Sequence, residues 1–135
     1  MKTVITYGTF DMFHVGHLRI LERAKTFGDR LIVGVSTDEF NDLKGKKTLI
    51  PFEDRAEIVA SLSCVDGVIA EKSWDQKHHD IKTWNVDVFV MGDDWAGKFD
   101  EYKTSCQVFY LPRTEGISTT MLKTEIRSLN SISLS

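Results

Sequence analysis

Five short apolar runs punctuate the chain, and segments with helical spacing fill the intervals between them. The runs are TVITYG at 3–8, RLIVGVS at 30–36, GVIAE at 67–71, VDVFVMG at 86–92 and QVFYLP at 107–112. They are rich in Val, Ile and aromatic residues and mostly bounded by Gly, Pro or Asp, the signature of buried strands. The interval HLRILERAKTFG repeats apolar residues at Leu18, Leu21, Ala24 and Phe27 and ends on Gly28, a suitable C-cap residue. FEDRAEIVASL places Ala56, Val59 and Leu62 on one helical face, and STTMLKTEIRSL does the same with Leu122, Ile126 and Leu129. Strands alternating with helices predict βαβ units. The expected fold is therefore α/β: a doubly wound, mostly parallel five-stranded sheet with helices on both faces.

One core suffices for a chain of 135 residues that is 41% hydrophobic, so a single domain over 1–129 is expected, with the tail NSISLS at 130–135 fraying. No repeat, linker or low-complexity tract suggests a second one. A net charge of −3 and a pI near 5.8 argue against a nucleic-acid or anionic-membrane surface, so any anion site must be local. The two cysteines, Cys64 and Cys106, form no C-x-x-C pair and point to neither a zinc ribbon nor a disulfide framework. No apolar run approaches the roughly 18 residues of a membrane span, and MKTVITYG reads as a strand rather than a signal peptide. Cytoplasmic residence in a reducing compartment is the expectation.

In a doubly wound sheet, ligands bind beyond the carboxyl ends of the strands, where helix N-termini converge. The first such junction reads GTFDMFHVGH, with His14 and His17 flanking Gly16 at the start of the first helix. Unpaired backbone N–H groups there favour anions, a glycine lets a ligand approach closely, and imidazoles add donors. Phosphate is the natural guest. Zinc would need a third ligand, and Cys64, Cys106 and the pair His78–His79 stand at no metal-ligand spacing. A second anion site is expected where LPRTEGISTT leaves the last strand, presenting Arg113, Gly116, Ser118, Thr119 and Thr120 at another helix start. Ser118 or Thr119 could equally be an ordinary cap there. Between the two, LKGKK supplies Lys44, Lys46 and Lys47 in a loop with a flexible glycine, which taken alone reads as a solvated turn.

Together, GTFD, HVGH at 14–17, ILERAK, STDEFN, VFVMGDDW and RTEGISTT resemble the cytidylyltransferase family within the HxGH nucleotidyltransferases, over about Lys2 to Leu129. The resemblance implies that CTP and an alcohol phosphate yield a CDP-alcohol and pyrophosphate, with Mg2+ assisting. It places Gly8, Thr9 and Phe10 along the nucleotide, has Asp11 order the loop, and lets His14 and His17 hold phosphates with Val15 and Gly16 between them. Lys44 and Lys46 would meet the triphosphate and the acceptor phosphate, and Lys77 would contact the acceptor. CTP would also be bound by 113–120, that is by Arg113, Thr114, Glu115, Gly116, Ile117, Ser118, Thr119 and Thr120. Asp94 would lie near the nucleotide or the magnesium. The short single domain favours glycerol 3-phosphate as acceptor over ethanolamine, choline, ribitol or heptose phosphate, and the product would supply a wall or surface polymer.

The chemistry agrees with that casting. The acceptor phosphate is already an anion, so no strong general base is needed, and donors at helix starts stabilise the charge that builds on phosphoryl oxygens. One departure stands out: ahead of Val65–Asp66 the family carries Arg-Tyr, linked to its subunit interface, where this chain has Ser63 and Cys64. A homodimer remains the expectation, paired through the edge that carries VDGVI. Readings from other classes are a non-catalytic nucleotide-binding module, which would release no pyrophosphate, and a flavodoxin-type electron carrier, whose first loop would be rich in Ser and Thr.

Overall fold

The protein is described by a computed structural model over residues 1–112. The expected site segment 113–120, the helix at 118–129 and the tail at 130–135 lie outside the described residues. In chain order the elements are β1 (Thr3–Gly8), α1 (Val15–Lys25), β2 (Arg30–Ser36), α2 (Asp38–Leu43), α3 (Phe52–Ala60), β3 (Gly67–Glu71), α4 (Gln76–Thr83), β4 (Val88–Gly92) and β5 (Gln107–Leu111). Two 3-10 turns, Asp93–Trp95 and Asp100–Thr104, separate the last two strands. The sheet runs β3-β2-β1-β4-β5 with every pairing parallel. The expectation of a mostly parallel sheet thus becomes one of a wholly parallel sheet among the described residues.

The two-residue period of the strands divides the core. Val4, Leu31, Val33, Val35, Val88 and Val90 face one side, where they pack with Leu21 and Ala24 of α1 and Val59 of α3. Ile5, Tyr7, Ile32, Phe89 and Met91 face the other and meet Ile81 of α4 with Phe99 and Tyr102. Each fully buried Val or Leu contributes about 1.5–3 kcal/mol, so this double-sided burial explains why the strand runs are apolar throughout. Gly34 has a specific duty: a Cβ there would stand 2.3 Å from the Tyr7 ring, so its absence gives that ring room beside β2.

One strand start and two helices differ notably from expectation. The fourth strand starts at Val88 rather than Val86, because the Val86 N–H donates to Ile81 O at 2.9 Å and is spent on the end of α4. Helices α2 and α4 were not anticipated; α4 turns Lys77, Asp80 and Ile81 inward, a buried face too polar to show a hydrophobic period. Among the described residues no helix is long and apolar enough to cross a membrane.

Candidate active site

β1 lies between β2 and β4, so the chain departs from it in opposite directions and leaves a crevice at the carboxyl end of the sheet. A cleft of about 620 Å³ opens there. One wall is the β1–α1 loop, in which Phe10 and Met12 take left-handed backbone angles (φ 55° and 48°). Such angles cost an L-residue roughly 1–2 kcal/mol. The Phe10 ring holds that shape, buried beside Phe13 and edge-on to His17 at 5.6 Å.

His14 is the N-cap of α1. Its Nδ1 accepts the Gly16 N–H at 3.0 Å, and His17 Nδ1 accepts the His14 N–H at 3.2 Å, a reciprocal capping box built from two imidazoles. The rings stack with centroids 3.9 Å apart. The amides of His14 and Gly16 are therefore taken by the histidines themselves, which corrects the expectation of unpaired N–H groups at this helix start. With both Nδ1 atoms accepting, each neutral ring carries its proton on Nε2. Burial pushes His14 below the usual imidazole range, and burial together with the adjacent His14 pushes His17 down to about 4. Both are neutral donors at neutral pH.

The loop from α2 to α3 forms the facing wall. Lys44 caps α2, Gly45 takes φ 74°, and the N–H groups of Gly45 and Lys46 return to Asp42 O and Asn41 O at 3.0 and 2.8 Å. That is a Schellman cap with glycine in the left-handed position, so the glycine of the expected turn is the one that ends α2. It aims the lysines. The Lys44 ammonium stands 3.3 Å from Ser36 Oγ and 4.4 Å above the Phe40 ring, and burial lowers its pKa from 10.5 to about 8 despite Glu71 nearby. Asp11 reaches across from the first loop and accepts the N–H groups of Leu49 and Ile50 at 3.0 Å each. Thr9 is pinned too, its hydroxyl donating to Asn41 Oδ1 at 3.2 Å.

At the floor, Lys77 of α4 pairs with Glu71 at 2.5 Å inside a cage of Tyr7, Trp74 and Phe99 rings, 4.6 to 5.4 Å from its ammonium. The Tyr7 hydroxyl donates to Asp80 Oδ2 at 2.7 Å. Asp94 lines the β4 side from the first 3-10 turn. Gly8, Thr9, Phe10, Asp11, His14, Gly16, His17, Lys44, Lys46, Lys77 and Asp94 thus share one cleft, with Lys47 beside them. Val15 does not; it lies exposed on the first turn of α1, away from the lining. Arg113 and the rest of 113–120 lie outside the described residues.

Several participants were not anticipated. Arg55 is wholly buried; its guanidinium donates to Thr9 O, Ser36 O, Ile50 O and Asp38 Oδ1 at 2.7–2.8 Å, tying the ends of β1 and β2 to both loops. Ser36, Glu71, Trp74 and Trp95 also line the cleft. Only the tryptophans left a signal, each a large aromatic isolated in a polar segment. Among the described residues no group of three or more His, Cys, Asp or Glu side chains could hold a metal ion.

Residues 5–125 match the family model described as Cytidylyltransferase-like. The chain is 60% identical over 129 residues to the glycerol-3-phosphate cytidylyltransferase of Bacillus subtilis (strain 168), covering 96% of this chain and 100% of that protein. It is 55% identical over 126 residues to the glycerol-3-phosphate cytidylyltransferase of Staphylococcus aureus (strain NCTC 8325 / PS 47), covering 93% and 96%. Among solved structures, the lipopolysaccharide core biosynthesis protein from Thermoplasma volcanium GSS1 superposes with a TM-score of 0.68 at 27% identity, covering 84% of this chain and 97% of that one.

Proposed function

The chain belongs to the cytidylyltransferase-like family, and from that premise we propose that it joins CTP to glycerol 3-phosphate, giving CDP-glycerol and pyrophosphate. The observation that carries this is the meeting of two neutral Nε2–H donors with a set of ammonium groups on facing walls of one cleft. That arrangement suits two polyanions brought together. A phosphate oxygen of glycerol 3-phosphate attacks the α-phosphorus of CTP, the bond from that phosphorus to the β-bridging oxygen breaks, and pyrophosphate leaves with the electron pair.

In this reading His14 and His17 donate from Nε2 to phosphoryl oxygens of CTP, and their neutrality means that charge neutralisation falls to the lysines. Lys46 meets the triphosphate, while Lys44 and Lys77 meet the acceptor phosphate. Thr9 and Phe10 run along the nucleotide, and Arg113 with the rest of 113–120 completes its binding. Mg2+ is proposed as the assisting ion. With no cluster of metal ligands among the described residues, Asp94 is the single carboxylate on the β4 side of the cleft, which fits an ion held chiefly by nucleotide phosphates and water. Bound there, the ion would offset charge on the triphosphate.

The experiment is a matrix of CTP, ATP, UTP and GTP against glycerol, ethanolamine, choline and ribitol phosphates, reading pyrophosphate and the coupled product. CTP with glycerol 3-phosphate should exceed every other pair by at least about tenfold in kcat/KM. Equal turnover of another alcohol phosphate, or no pyrophosphate from any pair, would overturn the assignment.

A further inference from the structure

A cleft built for polyanions holds a buried carboxylate at its floor. Glu71 is 3% exposed, and both of its oxygens are engaged: Oε2 by the Lys77 ammonium at 2.5 Å, Oε1 by the Ser36 hydroxyl at 2.8 Å. Ser36 Oγ in turn accepts from Lys44 Nζ at 3.3 Å. A hydroxyl has one proton to give, and the short bond to Glu71 takes it, leaving the oxygen lone pairs to Lys44. One carboxylate therefore holds two ammonium groups, one directly and one through a hydroxyl. The Trp74 ring lies near both, its centroid 5.0 Å from Lys77 Nζ and 5.6 Å from Lys44 Nζ.

The placement comes from the sheet rather than from a loop. Ser36 and Glu71 are the last residues of β2 and β3 and are direct register partners, and the Thr37 N–H donates to Glu71 O at 3.0 Å. Stability is a poor reason for such a chain, since a buried ion pair is often matched by apolar residues of the same volume. Its distinctive result is that two cations from different elements are tethered to one carboxylate, an arrangement by which a phosphomonoester dianion could be met from two sides.

We propose that Glu71, acting with Ser36, is the positioning residue of the acceptor site, holding Lys77 and Lys44 at the spacing that receives the phosphate of glycerol 3-phosphate. The inference rests on the reading of the cleft as a cytidylyltransferase site. Glu71 itself touches no substrate, so its removal should act on one substrate only.

Steady-state kinetics of wild type, Glu71→Gln and Ser36→Ala with CTP and glycerol 3-phosphate test this. Glu71→Gln should raise KM for glycerol 3-phosphate at least about tenfold while KM for CTP stays within about twofold. A folded Glu71→Gln protein whose two KM values are unchanged, or rise by the same factor, would overturn the proposal. Where Glu71→Gln does not fold, Ser36→Ala decides, because it leaves the Lys77–Glu71 pair in place: KM for glycerol 3-phosphate should rise about threefold with KM for CTP unaltered. An unchanged or unselective KM in that variant overturns the proposal as well. Wild-type protein that makes no CDP-glycerol would instead remove the reading beneath it.

Discussion

An imidazole that spends its Nδ1 lone pair on its own helix can only give a proton at Nε2, and this protein uses that restriction twice, at His14 and His17. Capping and donation can be separated by substitution. His17→Asn keeps an acceptor where Nδ1 stood but has no Nε2–H, so turnover should fall about 10²–10³-fold with little change in melting temperature. His17→Ala should lose the same turnover and, in addition, about 1 kcal/mol of stability from the broken cap. Near-normal turnover in a folded His17→Asn protein would remove the donor role. In the proposed site Lys44 should set the alkaline limb of the pH profile. Its surroundings, Glu71 with Lys46, Lys77 and Arg55, leave burial dominant and the pKa at about 8, below the ordinary 10.5. In the proposed site the binding form of Lys44 is the ammonium, so, with glycerol 3-phosphate a dianion above about pH 7, its kcat/KM should be highest near neutral pH and fall as pH rises through about 8. In Lys44→Arg that limb should move to higher pH, because guanidinium stays charged; a limb that does not move belongs to another group.

Among the elements, α3 matters less for its apolar face than for the one cation it buries. Arg55 satisfies the carbonyls at the ends of β1 and β2 and closes on Asp38, so Arg55→Met should cost about 3–5 kcal/mol in urea unfolding, by stranding those acceptors. A loss under 1 kcal/mol would mean that water replaces the guanidinium freely. The same residue marks what a sequence can and cannot reveal. The strands were legible because β1, β2 and β4 are buried on both faces, and α1 because Leu21 and Ala24 keep an apolar period. Helix α4 was not, since its inward face carries Lys77 and Asp80 to serve the cleft. The histidines announced themselves through spacing and a glycine. Arg55 and Glu71 did not, because each acts through partners distant in sequence that only the sheet register and the loop closures bring together. Gly45 was read only as part of a loop, because the short helix that it ends, with its polar sequence DEFNDL, shows no apolar period.

For the molecule as a whole the net charge is −3, yet four lysines stand beside three carboxylates in the described lining of one cleft, a local positive excess that suits the proposed anions. We propose a homodimer through the β3 edge, where Gly67 to Ala70 are only partly buried and Ser63 and Cys64 lead in. Without the Arg-Tyr of the family pattern this contact should be concentration-dependent, giving a mass that rises from monomer to dimer between low and high micromolar protein in sedimentation equilibrium. A single monomeric species across that range would exclude it. The position of β1 at the centre of the sheet also bears on how the protein comes into being. β1, β2 and β3 can pair using residues up to Glu71, whereas β4 joins β1 only by bringing Val88 to Val4, 84 positions apart in the chain (88 − 4). Distant closures are slow, so the half bearing the histidines and Lys44 should assemble before the half bearing Asp94. In pulse-labelled refolding, β2 amides should gain protection ahead of β4 amides, and catalytic activity should return with the later group. Simultaneous protection would refute this order. A partly made or partly refolded chain would then own a nucleotide cradle with one side missing, and competence would arrive as the last event of folding.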